Sequence, residues 1–68
     1  MPQVLACDIQ VAKDFARFNK LTVPVEDVEK AVANGAKLEV EESLFGDPGD
    51  DYNKLLLDGV QVGFWEGY

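Results

Sequence analysis

Glu39, Glu41, Asp47, Asp50, Asp51 and Glu66 are the side chains of this sequence whose type and spacing bear on chemistry. In an extended strand Glu39 and Glu41 would stand about 7 Å apart on one side, with the three aspartates following from an adjoining turn. Carboxylates so placed have three uses. Paired acids can exchange a proton in hydrolysis, but that needs a cleft to desolvate one of them, and 68 residues leave little volume to build it. Acids around Pro48-Gly49 could offer oxygens to calcium, yet their spacing lacks the alternating acids, central glycine and distant glutamate of an EF-hand loop. A row of acids on a stiff sheet can also imitate a nucleic-acid backbone, with its one charge per ~1.7 Å of duplex, and occupy a Lys/Arg groove built for DNA. The competing reading is a solvated sheet face whose charges suppress edge-to-edge aggregation.

Composition narrows the choice. One cysteine and no histidine exclude an intramolecular disulfide, a His-containing zinc site and Ser/His or Cys/His catalysis. The expectation is therefore a protein that is not an enzyme and takes neither cofactor nor metal. A net charge of −7 disfavours direct binding to nucleic acid or to an anionic membrane. Residues 1–37 carry five acids and five bases, whereas residues 38–68 carry eight acids against Lys54 alone, so the whole excess lies in the C-terminal half. Confining the acids in this way predicts a molecule with one strongly negative side. The opening Met1–Asp8 lacks a basic region and its apolar run stops at Asp8, which predicts neither signal peptide nor membrane span and a cytoplasmic location. Cys7 beside Ala6 then reads as a small buried hydrophobe in a reducing compartment.

These residues are positioned by a single domain over 1–68, with a helical hairpin at about 9–34 and a β-meander at about 37–67. Val11, Phe15 and Phe18 recur at helical spacing, with Lys13, Arg17 and Lys20 on another face, which predicts a helix covering at least 9–19. Its start has two solutions: Asp8 as N-cap, or Pro2 at the first position of a longer helix that includes Leu5 and Ile9. The basic stripe invites a helix-turn-helix reading, but a half of net zero tethered to a half of net −7 argues against DNA binding. Val23-Pro24 ends this element, and Val25, Val28 and Val32 mark a second helix stopping at Asn34-Gly35. From residue 37 the period becomes two, with Leu38 and Val40 alternating with Glu39 and Glu41, a strand to about 44. Gly46–Asp51 is a loop, and Asp58-Gly59 turns a hairpin between Tyr52–Leu57 and Val60–Trp65.

With Leu57 and Val60 bracketing that turn, Leu55 should pair with Val62 and Asn53 with Phe64. Phe15, Phe18 and Phe64 then fall in the core, while Tyr52, Lys54, Leu56, Gln61, Gly63 and Trp65 join Glu39 and Glu41 on the outer face. The expected fold is α+β, two N-terminal helices on one face of a three-stranded antiparallel meander, in the order α-α-β-β-β.

In size, acidity and lack of catalytic groups the chain resembles the small anti-CRISPR proteins of phages and mobile elements, some of which act as DNA mimics. The likeness is one of overall character and carries no motif, so it transfers no residue role. It implies a non-enzymatic inhibitor in the host cytoplasm, and a CRISPR effector complex as the partner whose positively charged groove Glu39, Glu41, Asp47, Asp50, Asp51 and Glu66 would fill. The alternative is a small interaction module, adaptor or antitoxin-like, that binds through the sheet aromatics Tyr52 and Trp65 or by adding a strand to a sheet edge.

Overall fold

The computed structural model describes residues 2–43 and 52–66. The chain is α+β, and its order is β1 (Pro2–Ala6), α1 (Ile9–Arg17), α2 (Val25–Ala33), β2 (Leu38–Ser43), β3 (Tyr52–Leu57) and β4 (Val60–Glu66). The four strands form one antiparallel sheet in sequence order, so the expected three-stranded meander gains an edge strand before the first helix. Pro2 therefore does not open a long helix. Asp8 caps α1, its carboxylate accepting from the backbone N–H of Gln10 at 3.0 Å. The five residues of β1 have no polar alternation to announce a strand, and their partner, β2, lies more than thirty positions away.

Local signals terminate the helices as their residues dictate. After α1 the chain reverses at Asn19, φ 62°, with the N–H of Lys20 donating to Phe15 O at 2.8 Å; after α2 it does so at Gly35, φ 97°, with Ala36 donating to Ala31 O at 2.9 Å. Both are left-handed C-terminal caps that satisfy carbonyls the helix leaves open. Asp58 and Gly59 have φ of 50° and 81°, both positive as a type I′ hairpin turn requires. The Asp58 carboxylate also accepts from the N–H of Lys37 at 2.9 Å, tying the hairpin to the start of β2.

The core joins Ala12 and Phe15 of α1 and Val28 of α2 to Leu38, Leu55 and Val62 on one sheet face. Register on that face departs from expectation. Leu57 pairs with Val60 and Leu56 with Gln61, but Leu55 meets Gly63 and Asn53 meets Trp65, so Val62 is the extra residue of a β-bulge. Val62 and Gly63 are both buried, and a Cβ on Gly63 would lie 2.9 Å from Phe15 and 3.1 Å from Lys20 O. The segment between the helices holds the bulge in place. Thr22 donates both its N–H and its hydroxyl to Val62 O, and the N–H of Phe64 donates to Lys20 O at 3.0 Å.

One added residue reverses every side chain beyond it. Phe64 therefore leaves the core for the outer face, where it is 38% exposed, and Trp65 takes the inner face. Gly63 likewise faces inward. Phe18 falls just past the last turn of α1 and is 54% exposed, its ring centre 5.1 Å from that of Trp65 at a 40° tilt.

Candidate binding surfaces

Cross-strand pairing sorts the sheet side chains into two faces. Val4, Glu41, Lys54 and Phe64 form one row of the helix-free outer face, and Ala6, Glu39, Leu56 and Gln61 form the next, with Tyr52 opposite Glu66 beyond them. The inner face carries Leu5, Val40, Leu55 and Gly63, then Gln3, Glu42, Asn53 and Trp65.

The strand acids are only partly a free anionic row. Glu39 and Glu41 share the outer face, but their side chains are 22% exposed, and each has a lysine close by: Lys37 at 4.0 Å from Glu39 and Lys54 at 3.9 Å from Glu41. Glu41 also accepts from the hydroxyl of Tyr52 at 3.1 Å. Glu66 is exposed on the same face, whereas Asp47, Asp50 and Asp51 lie outside the described residues. Two cations of α1 lie beside helix acids, Lys13 beside Glu29 at 3.9 Å and Arg17 beside Asp14 at 3.6 Å.

The aromatics separate. Tyr52 stacks on Phe64 with ring centres 6.1 Å apart and an 18° tilt, and the Lys54 ammonium stands 5.1 Å from the Tyr52 ring. Trp65, expected beside Tyr52, instead makes an edge-on contact with Phe15 at 5.3 Å under α1. Phe64 is thus the outer-face aromatic that the sequence reading missed, and Glu42 the inner-face acid; the bulge hid the first, and alternation alone was enough to show the second.

No three metal-ligating side chains converge among the described residues, and no helix there is long and apolar enough to cross a membrane. Cys7 is half-buried; burial chiefly, then the charges of Asp8 and Glu39, push its thiol up from the ordinary cysteine range. That is the opposite of an activated nucleophile. What the geometry defines is a two-layer α+β domain with one sheet face covered by helices and the other free of helices among the described residues. Comparison with protein-family models, with curated proteins and with solved structures finds no match.

Proposed function

We propose that this chain acts by binding a protein partner, without catalysis, through the helix-free face of its sheet. The observation that carries this reading is the uncovered apolar surface of that face: Val4 is 48% and Phe64 38% exposed, with Leu56 and Tyr52 half-buried beside them. A two-layer domain normally dresses its wet sheet face in polar residues, and aromatic anchors framed by charge are the usual make-up of an interface. Glu39, Glu41 and Glu66 form the frame, and their sign favours a partner with a basic rim. In this reading the chain is a cytoplasmic adaptor or antitoxin-like module.

A second reading rests on the charge distribution. All seven net negative charges belong to residues 38–68, which supports an acidic decoy occupying a basic DNA-binding cleft, of the kind anti-CRISPR inhibitors present to an effector complex. The lysines beside Glu39 and Glu41 weaken it for those two positions and leave Asp47, Asp50, Asp51 and Glu66 to bear most of the mimicry.

One titration separates the readings, using the partner recovered from the native host. Raising salt from ~0.1 to ~1 M shortens the screening length from about 10 to about 3 Å. The module reading expects a small salt effect and a loss of ~30-fold or more on Phe64→Ala, the scale of an interface anchor. A decoy would instead lose affinity steeply with salt and lose it entirely when Glu39, Glu41, Asp50 and Asp51 are replaced by lysine, while Phe64→Ala changes little.

A further inference from the structure

Among the described residues, β1 leaves one long side of the sheet open. At the far edge the segment 20–22 covers β4 with backbone bonds to Val62 and Phe64, whereas β1 pairs with β2 alone. The N–H of Cys7 donates to Leu38 O, and bonding alternates along an antiparallel strand, so the N–H and C=O groups of Val4 and Ala6 point away from the sheet. Such a row is a template for another strand.

The side chains of β1 suit an interior strand. Val4 lies on the outer face and Leu5 on the inner, and they are 48% and 39% exposed. A strand apolar on both faces belongs inside a sheet, whereas an edge is ordinarily blunted by a charge, a bulge or a cover. β1 has no charged residue, and its register with β2 runs unbroken from Pro2 to Ala6. Only Pro2, at its start, lacks a donor.

We propose that β1 pairs antiparallel with β1 of a second copy of the chain, joining two four-stranded sheets into one. The edge is self-complementary. With Leu5 on the two-fold axis, Val4 of each copy faces Ala6 of the other, and the two pairs exchange N–H and C=O in four hydrogen bonds that leave Pro2 out. The two Leu5 residues then meet at a non-hydrogen-bonded position, where side chains approach most closely, and cover each other. Centring on Val4 instead would set Ala6 against Pro2, which returns no N–H. Charge permits the approach: the strand is neutral, residues 1–37 are net zero, and Asp8, just past the strand, falls at opposite ends of the pairing in the two copies. The acids of β2 would stand three strand spacings from those of the second copy, about 14 Å, beyond the ~8 Å screening length of physiological salt. A foreign strand would have to match this uncharged, two-sided apolar pattern, and the chain already carries one. Because self-pairing uses up the open edge of each copy, assembly stops at a closed dimer. The contact is separate from the outer face, which a continuous sheet leaves accessible.

Sedimentation equilibrium of the full chain from ~5 µM to ~1 mM tests the pairing. The expected result is a monomer–dimer equilibrium with a Kd of ~10–100 µM, the weak end expected of a small interface. It should tighten severalfold as salt rises from ~0.05 to ~0.5 M, because two copies of charge −7 repel. Val4→Pro removes an outward donor that no bond within the monomer uses, and Leu5→Lys sets like charges face to face while lowering the net charge. Each should weaken the dimer about tenfold or more with the circular dichroism of the monomer retained. Amide exchange reports the register: the Val4 and Ala6 amides, rapid in the monomer at ~10 µM, should slow about fivefold or more at ~1 mM, with Leu5 and Cys7 protected at both. A chain that stays monomeric to ~1 mM overturns the proposal and leaves the edge to a strand of another protein. Association that continues past the dimer, or a dimer that both variants leave intact, also overturns it. Phe64→Ala acts on the outer face and should not change the dimer; loss of the dimer on that substitution alone would assign the contact to that face and overturn the edge pairing. A failure here leaves the outer-face reading standing, since that rests on the binding of a different protein.

Discussion

Trp65 and Gly63 sit two residues apart on β4 and act as one device. The glycine lets Phe15 approach the sheet, and Phe15 and Phe18 then close over the indole. Gly63→Ala would press a methyl group against Phe15 and the immobile Lys20 carbonyl, so its urea midpoint should fall by the equivalent of ~1–3 kcal/mol. Trp65→Ala should cost ~3 kcal/mol or more, a large share of the ~3–5 kcal/mol available to a domain this small. A binding loss on that substitution would therefore report unfolding first, and Phe64→Ala is the cleaner probe; thermal unfolding of both variants checks the distinction. Cys7 adds a pH prediction. Because its thiol is raised in the fold, the stability it contributes is complete below the ordinary pKa of ~8.5 and is lost as pH rises through the folded value. Alkylation by iodoacetamide near pH 8 should accordingly be slower in the native protein than in urea.

At the scale of elements, β1 decides what the sheet presents to its surroundings. The N–H of Cys7 donates to Leu38 O at 3.1 Å, and antiparallel ladders alternate, so Leu5 also bonds toward β2 while Val4 and Ala6 direct their N–H groups to the open edge. Pro2 shares their phase, where a missing donor breaks no ladder bond. Val4→Pro should hence leave the fold intact, whereas Leu5→Pro should detach β1 and lower the melting temperature. Hydrogen exchange offers an independent check, with the Val4 and Ala6 amides exchanging rapidly and those of Leu5 and Cys7 protected. The opposite edge needs no such device, because Lys20, Leu21 and Thr22 cover β4 with backbone bonds.

Across the whole molecule, the surplus of seven negative charges outweighs a handful of surface pairs at 3.6–4.0 Å. Pairs this long with at least one partner reaching solvent contribute little, while like-charge repulsion acts on every acid at once. Moderate salt, from ~0.01 to ~0.2 M, should therefore raise the urea midpoint. A fall would show that the lysines beside Glu39 and Glu41 hold the sheet more strongly than the net charge opposes it. Covering the outer face with a partner that carries cations should act in the same direction as salt, which links the fold's electrostatics to the proposed docking.

The amino-acid sequence by itself determined the features whose causes are local. Both helices, the stop at Asn34-Gly35, the Asp58-Gly59 turn and the alternation of β2 all depend on neighbours within a few residues. Tertiary structure alone decided β1 and the bulge, because the first gains its hydrogen bonds from residues more than thirty positions away and the second from Thr22 and Phe15, some forty and more positions before it. A strand's period of two magnifies so small a cause. One unpaired valine exchanged Phe64 for Trp65 across the sheet, and with them the aromatic that faces solvent and the one that packs under α1.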